Sequence, residues 1–326
     1  MKETEPQLYP LKFKPILKEK VWGGKKLNNL LNKKATGNIG ESWEISGVEN
    51  NVSIVANGPW EGKSLDGLLS EFKEKLVGDR VYKIFGNKFP LLFKFIDAAD
   101  DLSVQVHPED SLAKQRHNSF GKTEMWHIFQ ADPGAQLIVG FKNELEKEDY
   151  LRTLAEGNIT EILNSVTVKK GDTFVIYPGT VHAIGAGVLL AEIQQTSDIT
   201  YRIYDWDRPE ADGKMRELHT DLAVDAIDFG SNPKKESYPN KENFPVHIAE
   251  TEFFSTNKLH LSQSFVRKLG DMDSFVVYMC LEGQATIAGN GFSEKMEIGD
   301  TLLIPAEIEE ITFDTKGASF LEVYVP

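Results

Sequence analysis

The sequence has a single cysteine, Cys280, and no apolar run that approaches the roughly 18 residues of a membrane span. One cysteine cannot form a disulfide within the chain, and its place in the apolar run FVVYMCLEG predicts a buried thiol. The first residues, MKETEPQLYPLKFKP, hold no apolar stretch of the length that a signal peptide needs. We therefore expect a cytoplasmic protein without a membrane partner.

Positive charge is also scarce, because 36 Lys and Arg residues stand against 50 Asp and Glu residues, for a formal net charge of −14. A nucleic-acid surface needs clustered Lys and Arg to neutralise phosphates, so this balance predicts no nucleic-acid partner. An anionic small molecule can still bind where local cations outweigh the overall field. A glycine-rich dinucleotide fingerprint is missing as well, which argues against a nicotinamide hydride donor.

Short strands dominate what is present, and they are rich in β-branched and aromatic residues between Gly, Pro, Asn and Asp. Examples are NVSIVANG, KFPLLFKFIDA, LSVQVHP, TEMWHIFQA, DTFVIYPG and SFVVYMCLEG. This spacing favours antiparallel barrels or sandwiches over parallel β-α-β units. Helical patterns occur in SLDGLLSEFKEKLVG, from Ser64, and in residues 143–166, broken near Gly157. The sequence therefore predicts a mainly β fold with a small helical insertion.

Two similar segments lie on either side of a polar stretch. KKGDTFVIYPGTVHAI, residues 169–184, resembles MEIGDTLLIPAEIEEI, residues 296–311, and His182 of the first copy is replaced by Glu309 in the second. Residues 228–245 are rich in Pro, Asn and Lys and lack apolar periodicity, which is typical of a linker. We predict an N-terminal domain of residues 1–230, a linker of residues 231–245 and a C-terminal domain of residues 246–326.

A candidate metal site lies in the first of these domains. In LSVQVHPED, Gln105 and His107 are two apart on a predicted strand, so both side chains lie on one face. In KTEMWHIFQ the same alternation lets Glu124 face them and turns His127 the other way. His182 follows a Pro-Gly turn, where a barrel strand brings a side chain to the mouth. Two imidazoles, a carboxylate and an amide oxygen suit a divalent ion such as zinc.

The motifs LSVQVHPED, GKTEMWHIF, YPGTVHAIGAG and EIQQTSDITYRIYDWDR stand in the order and spacing of the type I phosphomannose isomerases. The chain resembles the short bacterial form of this family, and the resemblance extends to VWGGKKL and GESWEIS near the start of the chain. It implies a cupin fold with two jelly-roll barrels. It also implies an enzyme that interconverts mannose 6-phosphate and fructose 6-phosphate.

The resemblance implies roles for individual residues as well. The residues that match the zinc ligands of the family, with one zinc ion per chain, are Gln105, His107, Glu124 and His182. Arg202, in ITYRIYDW, matches the catalytic arginine. The residues expected near the sugar phosphate are Ser103, Lys94 and Lys122. The C-terminal domain has Glu309 in place of the metal-bearing histidine, so we expect it to hold no metal. His127 stands where many relatives have tyrosine.

The implied reaction moves a proton between neighbouring carbons through an enediolate, whose negative charge a divalent cation can stabilise as a Lewis acid. Arg202 stays protonated, so its suited role is to stabilise oxyanion charge or to clamp the substrate rather than to remove a proton. The base stays open between a water on the metal, a carboxylate such as Glu192 and a lysine with a lowered pKa.

Two other functions fit the same ligands. Two histidines and a carboxylate also hold non-haem iron, as in a cupin dioxygenase. Alternatively, a non-catalytic sugar-binding regulatory cupin could use its metal only to anchor a ligand. Arg202 and Lys122 argue against both functions, because neither residue is needed simply to hold a metal. The sequence leaves the oligomeric state open.

Overall fold

The computed structural model describes residues 7–34, 36–210 and 212–326, and these residues form a mainly β protein, as predicted. The strands before the polar stretch are β1 (Ile16–Gly24), β2 (Ile39–Ile45), β3 (Leu91–Ala98), β4 (Val104–Val106), β5 (Glu124–Ala131), β6 (Gln136–Phe141), β7 (Leu163–Thr167), β8 (Thr173–Ile176), β9 (His182–Ile184), β10 (Val188–Gln195) and β11 (Tyr201–Tyr204). Those after it are β12 (Val246–Glu250), β13 (Ser255–Leu261), β14 (Phe265–Lys268), β15 (Val276–Gly289), β16 (Phe292–Glu297), β17 (Thr301–Ile304), β18 (Glu310–Asp314) and β19 (Ala318–Tyr324).

The α-helices are short: α1 (Lys26–Leu31), α2 (Leu65–Phe72), α3 (Glu74–Val77), α4 (Asp79–Phe85), α5 (Asp110–His117), α6 (Lys147–Ala155) and α7 (Thr220–Ala226). Ser64 caps α2, because its side chain accepts a hydrogen bond from the Gly67 amide. In the described part of the chain, no helix is both long and apolar enough to cross a membrane.

The N-terminal barrel consists of two antiparallel sheets. One has the strand order β1-β2-β3-β10-β5-β8 and the other β11-β4-β9-β6-β7. A buried apolar cluster joins them, with Trp126 and Leu190 from the first sheet and Val139 and Ile184 from the second. The space between β5 and the β4–β9 pair is where the predicted metal ligands lie.

The strands of the C-terminal barrel form one eight-stranded sheet, whose main path has the strand order β12-β13-β19-β15-β18-β14. The long strand β15 pairs with β17 and β19 along its first half, and with β16 and β18 along its second half. Cys280 lies within this barrel's apolar core as a free, buried thiol, and burial raises its pKa to about 12. The predicted buried thiol is therefore confirmed.

The internal repeat predicted from the sequence is visible in the backbone. Gly171 and Gly299 occupy equivalent turns with φ of +87° and +84°, a conformation that glycine adopts without steric cost. The next residue in each copy, Asp172 or Asp300, accepts a hydrogen bond from the backbone amide three residues earlier, at 3.1 and 2.9 Å. The strand order β3-β10-β5-β8 of the N-terminal barrel also corresponds to the order β13-β19-β15-β17 of the C-terminal barrel.

The helical insertion of residues 65–85 packs between the barrels. The backbone carbonyls of Leu76 and Val77 accept hydrogen bonds from the amides of Ala306 and Phe275, at 3.0 and 3.2 Å. One apolar cluster accordingly contains residues of both barrels. The polar stretch is also anchored, since the Glu236 amide donates to the carbonyl of β8 residue Thr173 at 2.9 Å. We propose that residues 231–245 link the N-terminal and C-terminal domains.

The helical prediction for residues 143–166 is wrong in its second half. Helix α6 ends at Ala155, Gly157 follows with φ of +75°, and a single 3-10 turn at Ile159–Glu161 leads into strand β7. Strand β7 completes the second sheet by pairing with β6. Tertiary pairing with an open sheet edge thus outweighs the local helical pattern.

Candidate active site

The predicted metal ligands converge inside the N-terminal barrel. Gln105 of β4 lies directly opposite His182, the first residue of β9, while His107 follows β4 and Glu124 begins β5. Ligand atoms of His107, Glu124 and His182 all lie within 4.8 Å of one another, and each residue is only 1% exposed. In the described residues, no other group of three His, Cys, Asp or Glu side chains meets this criterion.

Both histidines are held by their Nδ1 atoms. His182 donates to the carbonyl of Thr180 at 2.8 Å, and His107 donates to the carbonyl of Ile199 at 2.9 Å. These bonds leave the Nε2 lone pairs facing Glu124, at 3.5 and 3.6 Å from its oxygens. Burial lowers the pKa of His182 to about 4 and the pKa of His107 well below its usual value, so both rings are neutral, as metal ligation requires.

The His107–Glu124–His182 group also suits a cation because several of its polar atoms lack a hydrogen-bond partner. Nε2 of His107 and both oxygens of Glu124 are buried without a hydrogen-bond partner among the described residues, a costly arrangement unless something else satisfies them. Burial, followed by the charge of Glu192, raises the pKa of Glu124 to about 8. Gln105 lies with its amide nitrogen 3.2 Å from Nε2 of His182 and carries an oxygen that can also serve as a ligand. Such nitrogen and oxygen donors suit a divalent ion.

The alternation predicted along β5 is present. Glu124 and Trp126 face the inside of the barrel, and His127 lies on the opposite face. The ring of His127 is 2.8 Å from the hydroxyl of Thr173, and burial lowers its pKa to about 3. His127 is therefore not part of the ligand cluster.

A cavity of about 470 Å³ opens over this cluster. Of the residues predicted from the sequence, its walls include Lys94, Ser103, Gln105, Lys122, His182 and Arg202. His107 and Glu124 lie beneath the wall, in contact with His182. The structure thus brings together all eight predicted site residues.

Lys94 and Glu192 form a buried ion pair in the cavity wall. Nζ of Lys94 donates to Glu192 at 2.7 Å and to Gln194 at 2.6 Å, and Glu192 also accepts from the indole of Trp126 at 3.0 Å. Burial opposes both charges, but the carboxylates of Glu192 and Glu41 outweigh it and raise the pKa of Lys94. Lys94 and Lys122 likewise lower the pKa of Glu192 despite its burial. Both groups are ionised at neutral pH.

Arg202 lies opposite Gln105 in the pairing of β11 with β4. Its Nη1 donates to the carbonyl of Glu217 at 2.8 Å, while its buried Nε has no partner in the described chain. Burial and the nearby Arg216 lower the pKa of Arg202, which remains a cation because the ordinary value is so high. The ammonium of Lys122 lies 3.6 Å from the Glu124 carboxyl group.

Sequence reasoning missed several residues of the cavity wall as site residues, and all but one of them are charged. Lys18 and Lys20 come from β1, Glu41 and Trp43 from β2, and Arg216 from a loop. Each strand pair is spaced two apart, so the same alternation that identified Gln105 and His107 could have grouped them. The loop residue has no such signal.

Two family models match this chain. The model described as "Phosphomannose isomerase type I, catalytic domain" matches residues 10–125, and the model described as "Mannose-6-phosphate isomerase, cupin domain" matches residues 240–323. The cupin fold implied by the sequence motifs is thereby confirmed.

Similar proteins align along nearly the whole chain. The mannose-6-phosphate isomerase ManA of Bacillus subtilis is 36% identical over 309 residues, which cover 94% of this chain and 96% of that one. The mannose-6-phosphate isomerase of Streptococcus mutans is 35% identical over 314 residues, covering 94% and 95%. The crystal structure of the mannose 6-phosphate isomerase from Bacillus subtilis superposes with a TM-score of 0.87 at 31% identity, covering 97% of this chain and 99% of that one.

Metal binding at pH 7 is expected to release about one proton from Glu124, because its pKa of about 8 keeps the metal-free carboxyl protonated while both imidazoles are already neutral. Calorimetric titration in buffers of different ionisation enthalpy counts the protons. The count should fall toward zero as the pH rises above 8. His127→Gln is the control and should leave the count unchanged. A count near zero at pH 7 would contradict the prediction.

Proposed function

Because this chain belongs to the type I phosphomannose isomerase family, we propose that it interconverts mannose 6-phosphate and fructose 6-phosphate with one zinc ion per chain. The observation that carries this proposal is the convergence of the His107–Glu124–His182 group with Lys122 and Arg202 at one cavity. A permanent cation and a lysine beside a divalent ion suit a reaction in which an anionic substrate develops further negative charge.

The proposed zinc ligands are Gln105, His107, Glu124 and His182. The partnerless oxygens of Glu124 and the fixed Nε2 lone pairs of the two histidines support this set. Other divalent metals share the ligand preferences of zinc. When bound, zinc supplies Lewis-acid stabilisation of negative charge on the substrate oxygens.

Arg202 is proposed as the catalytic cation. Its charge is permanent, and its unpartnered Nε leaves a donor for an oxyanion that forms during proton transfer. Ser103, Lys94 and Lys122 are proposed to bind the sugar phosphate from the cavity wall. Lys94 acts there as a fixed ammonium, since its pKa is raised rather than lowered.

These charge states limit which residue can accept the proton. A lysine base needs a lowered pKa, which Lys94 does not have. Glu192 is an ionised carboxylate in the cavity wall, and its two oxygens offer more lone pairs than the bonds from Lys94 and Trp126 occupy. We therefore favour Glu192 over Lys94 as the protein group that can accept a proton. The cytoplasmic location and the absence of nucleic-acid and membrane partners stay predictions.

The zinc content of two variants should show which face of β5 contributes to the metal site. His182→Ala removes a proposed ligand. Because losing a residue that only supports a ligand lowers metal affinity by up to roughly 100-fold, we expect loss of the ligand itself to lower zinc affinity by at least that factor. His127→Gln should retain one zinc per chain, because that ring lies on the other face. Elemental analysis after dialysis measures both. Two tightly held zinc ions per chain, with one surviving in His182→Ala, would place a second site in the C-terminal barrel, against our prediction.

Replacing the proposed catalytic cation should slow turnover more than it weakens binding. Arg202→Ala is expected to lower kcat by roughly 10²–10³-fold, the range for removing a donor that acts on developing charge, with a smaller change in KM. Steady-state kinetics separate the two constants. Arg116→Ala, at a surface ion pair with Asp225, is the control. A rise in KM alone would make Arg202 a binding residue.

The reaction itself is tested with mannose 6-phosphate. The zinc-loaded protein should form fructose 6-phosphate, lose activity with a chelator and regain it with added zinc. In deuterated water, proton transfer through a protein base should place deuterium in the product, which NMR detects. An absence of isomerisation, with oxygen-dependent turnover of another substrate by the iron-loaded protein, would favour the dioxygenase alternative.

A further inference from the structure

A second cavity, of about 240 Å³, lies between the two barrels, on the side of β5 opposite the metal ligands. We call it the inter-barrel cavity. One wall comes from β5 and the Gly171 turn of the N-terminal barrel, and the other from β13, β15 and β19 of the C-terminal barrel. Its polar lining consists of His127, Lys170, Lys258, Glu282 and Ser319. None of these residues belongs to the proposed isomerase site.

The cavity has an excess of positive charge in a chain whose net charge is negative. Lys170 and Glu282 form an ion pair at the rim, where the lysine side chain is 59% exposed. Lys258 is half-buried and has neither an ion pair nor a hydrogen bond among the described residues; its ammonium lies 5.7 Å from the ring of Tyr238. Burial lowers the pKa of Lys258, and the charge of Glu282 offsets this only in part.

His127 adds a neutral donor to the same cavity. Tyr238 donates its hydroxyl proton to the carbonyl of Gly171 and offers Thr173 only a 3.5 Å contact, so the Thr173 hydroxyl proton is best placed in the shorter, 2.8 Å contact with Nδ1 of His127. A neutral imidazole that accepts at Nδ1 carries its proton on Nε2. This Nε2 has no partner within the described part of the chain, although the residue is only 2% exposed. An N–H donor without a partner in the described chain is therefore left for a ligand.

We propose that the inter-barrel cavity binds a small oxyanion, held by the Lys258 ammonium and the Nε2–H group of His127. An ammonium and a neutral N–H donor match the negative charge and lone pairs of a phosphate or a carboxylate. The volume is below the roughly 300–1,000 Å³ of pockets for drug-sized ligands, which favours an ion of the size of inorganic phosphate or acetate.

The test must separate this site from the cations of the isomerase cavity, so its readout is local to His127. The ¹⁵N-labelled, zinc-loaded protein is titrated with inorganic phosphate and, separately, with acetate, while NMR follows the imidazole signals. His127→Gln identifies the His127 signal by its loss. We expect that signal to shift saturably with at least one of the two anions.

The lysine variants decide whether the shift comes from this cavity. In Lys258→Met and Lys258→Gln the anion affinity read at His127 should fall at least tenfold. Lys268→Met, an exposed lysine of the same barrel, should bind as the unaltered protein does. All three variants should keep the isomerase kcat, because neither lysine lines the active-site cavity. A His127 signal that neither anion moves, or that moves equally in both Lys258 variants, would overturn the proposal.

Discussion

The burial of one carboxylate and two imidazoles inside an apolar barrel is the constraint on which the site depends. Glu124 and Nε2 of His107 have no hydrogen-bond partner among the described residues, so the protein alone leaves them unsatisfied. A divalent cation would supply the missing charge. The surroundings are arranged accordingly, because the Nδ1 atoms are fixed by the carbonyls of Thr180 and Ile199, which sets the tautomer that a metal needs.

The C-terminal barrel also buries a carboxylate. Its carboxylate, Glu322, is fully buried on β19, the strand that corresponds to β10 and its Glu192. Three side chains donate to it: Arg267 at 2.8 and 2.9 Å, Tyr278 at 2.6 Å and Asn257 at 2.8 Å. In both barrels an aromatic donor and a polar side chain come from the strands on either side of the glutamate. In the C-terminal barrel the guanidinium of Arg267 supplies the positive charge, as the ammonium of Lys94 does for Glu192 in the N-terminal barrel.

Features that depend on neighbouring residues could be predicted from the sequence, and features that depend on distant register could not. Strand alternation separates Glu124 from His127 because its period of two is fixed by the backbone. The ion pair of Lys94 with Glu192 joins β3 to β10 across 98 positions, and no local pattern encodes that register. The same reasoning explains the mistaken helical prediction for residues that form β7, since their pairing partner β6 lies outside the window in which periodicity is judged.

An acidic protein can bind an anion only if its cations are concentrated and kept protonated. Buried carboxylates achieve this at the active-site cavity, because Glu192 and Glu41 raise the pKa of Lys94 in a place where burial alone would lower it. Arg202 needs no such partner, since a guanidinium keeps its proton even when burial lowers its pKa. The wall therefore combines a paired, immobile ammonium with an arginine that has a donor to spare. Negative residues inside the site are thus part of what holds its positive charge in place.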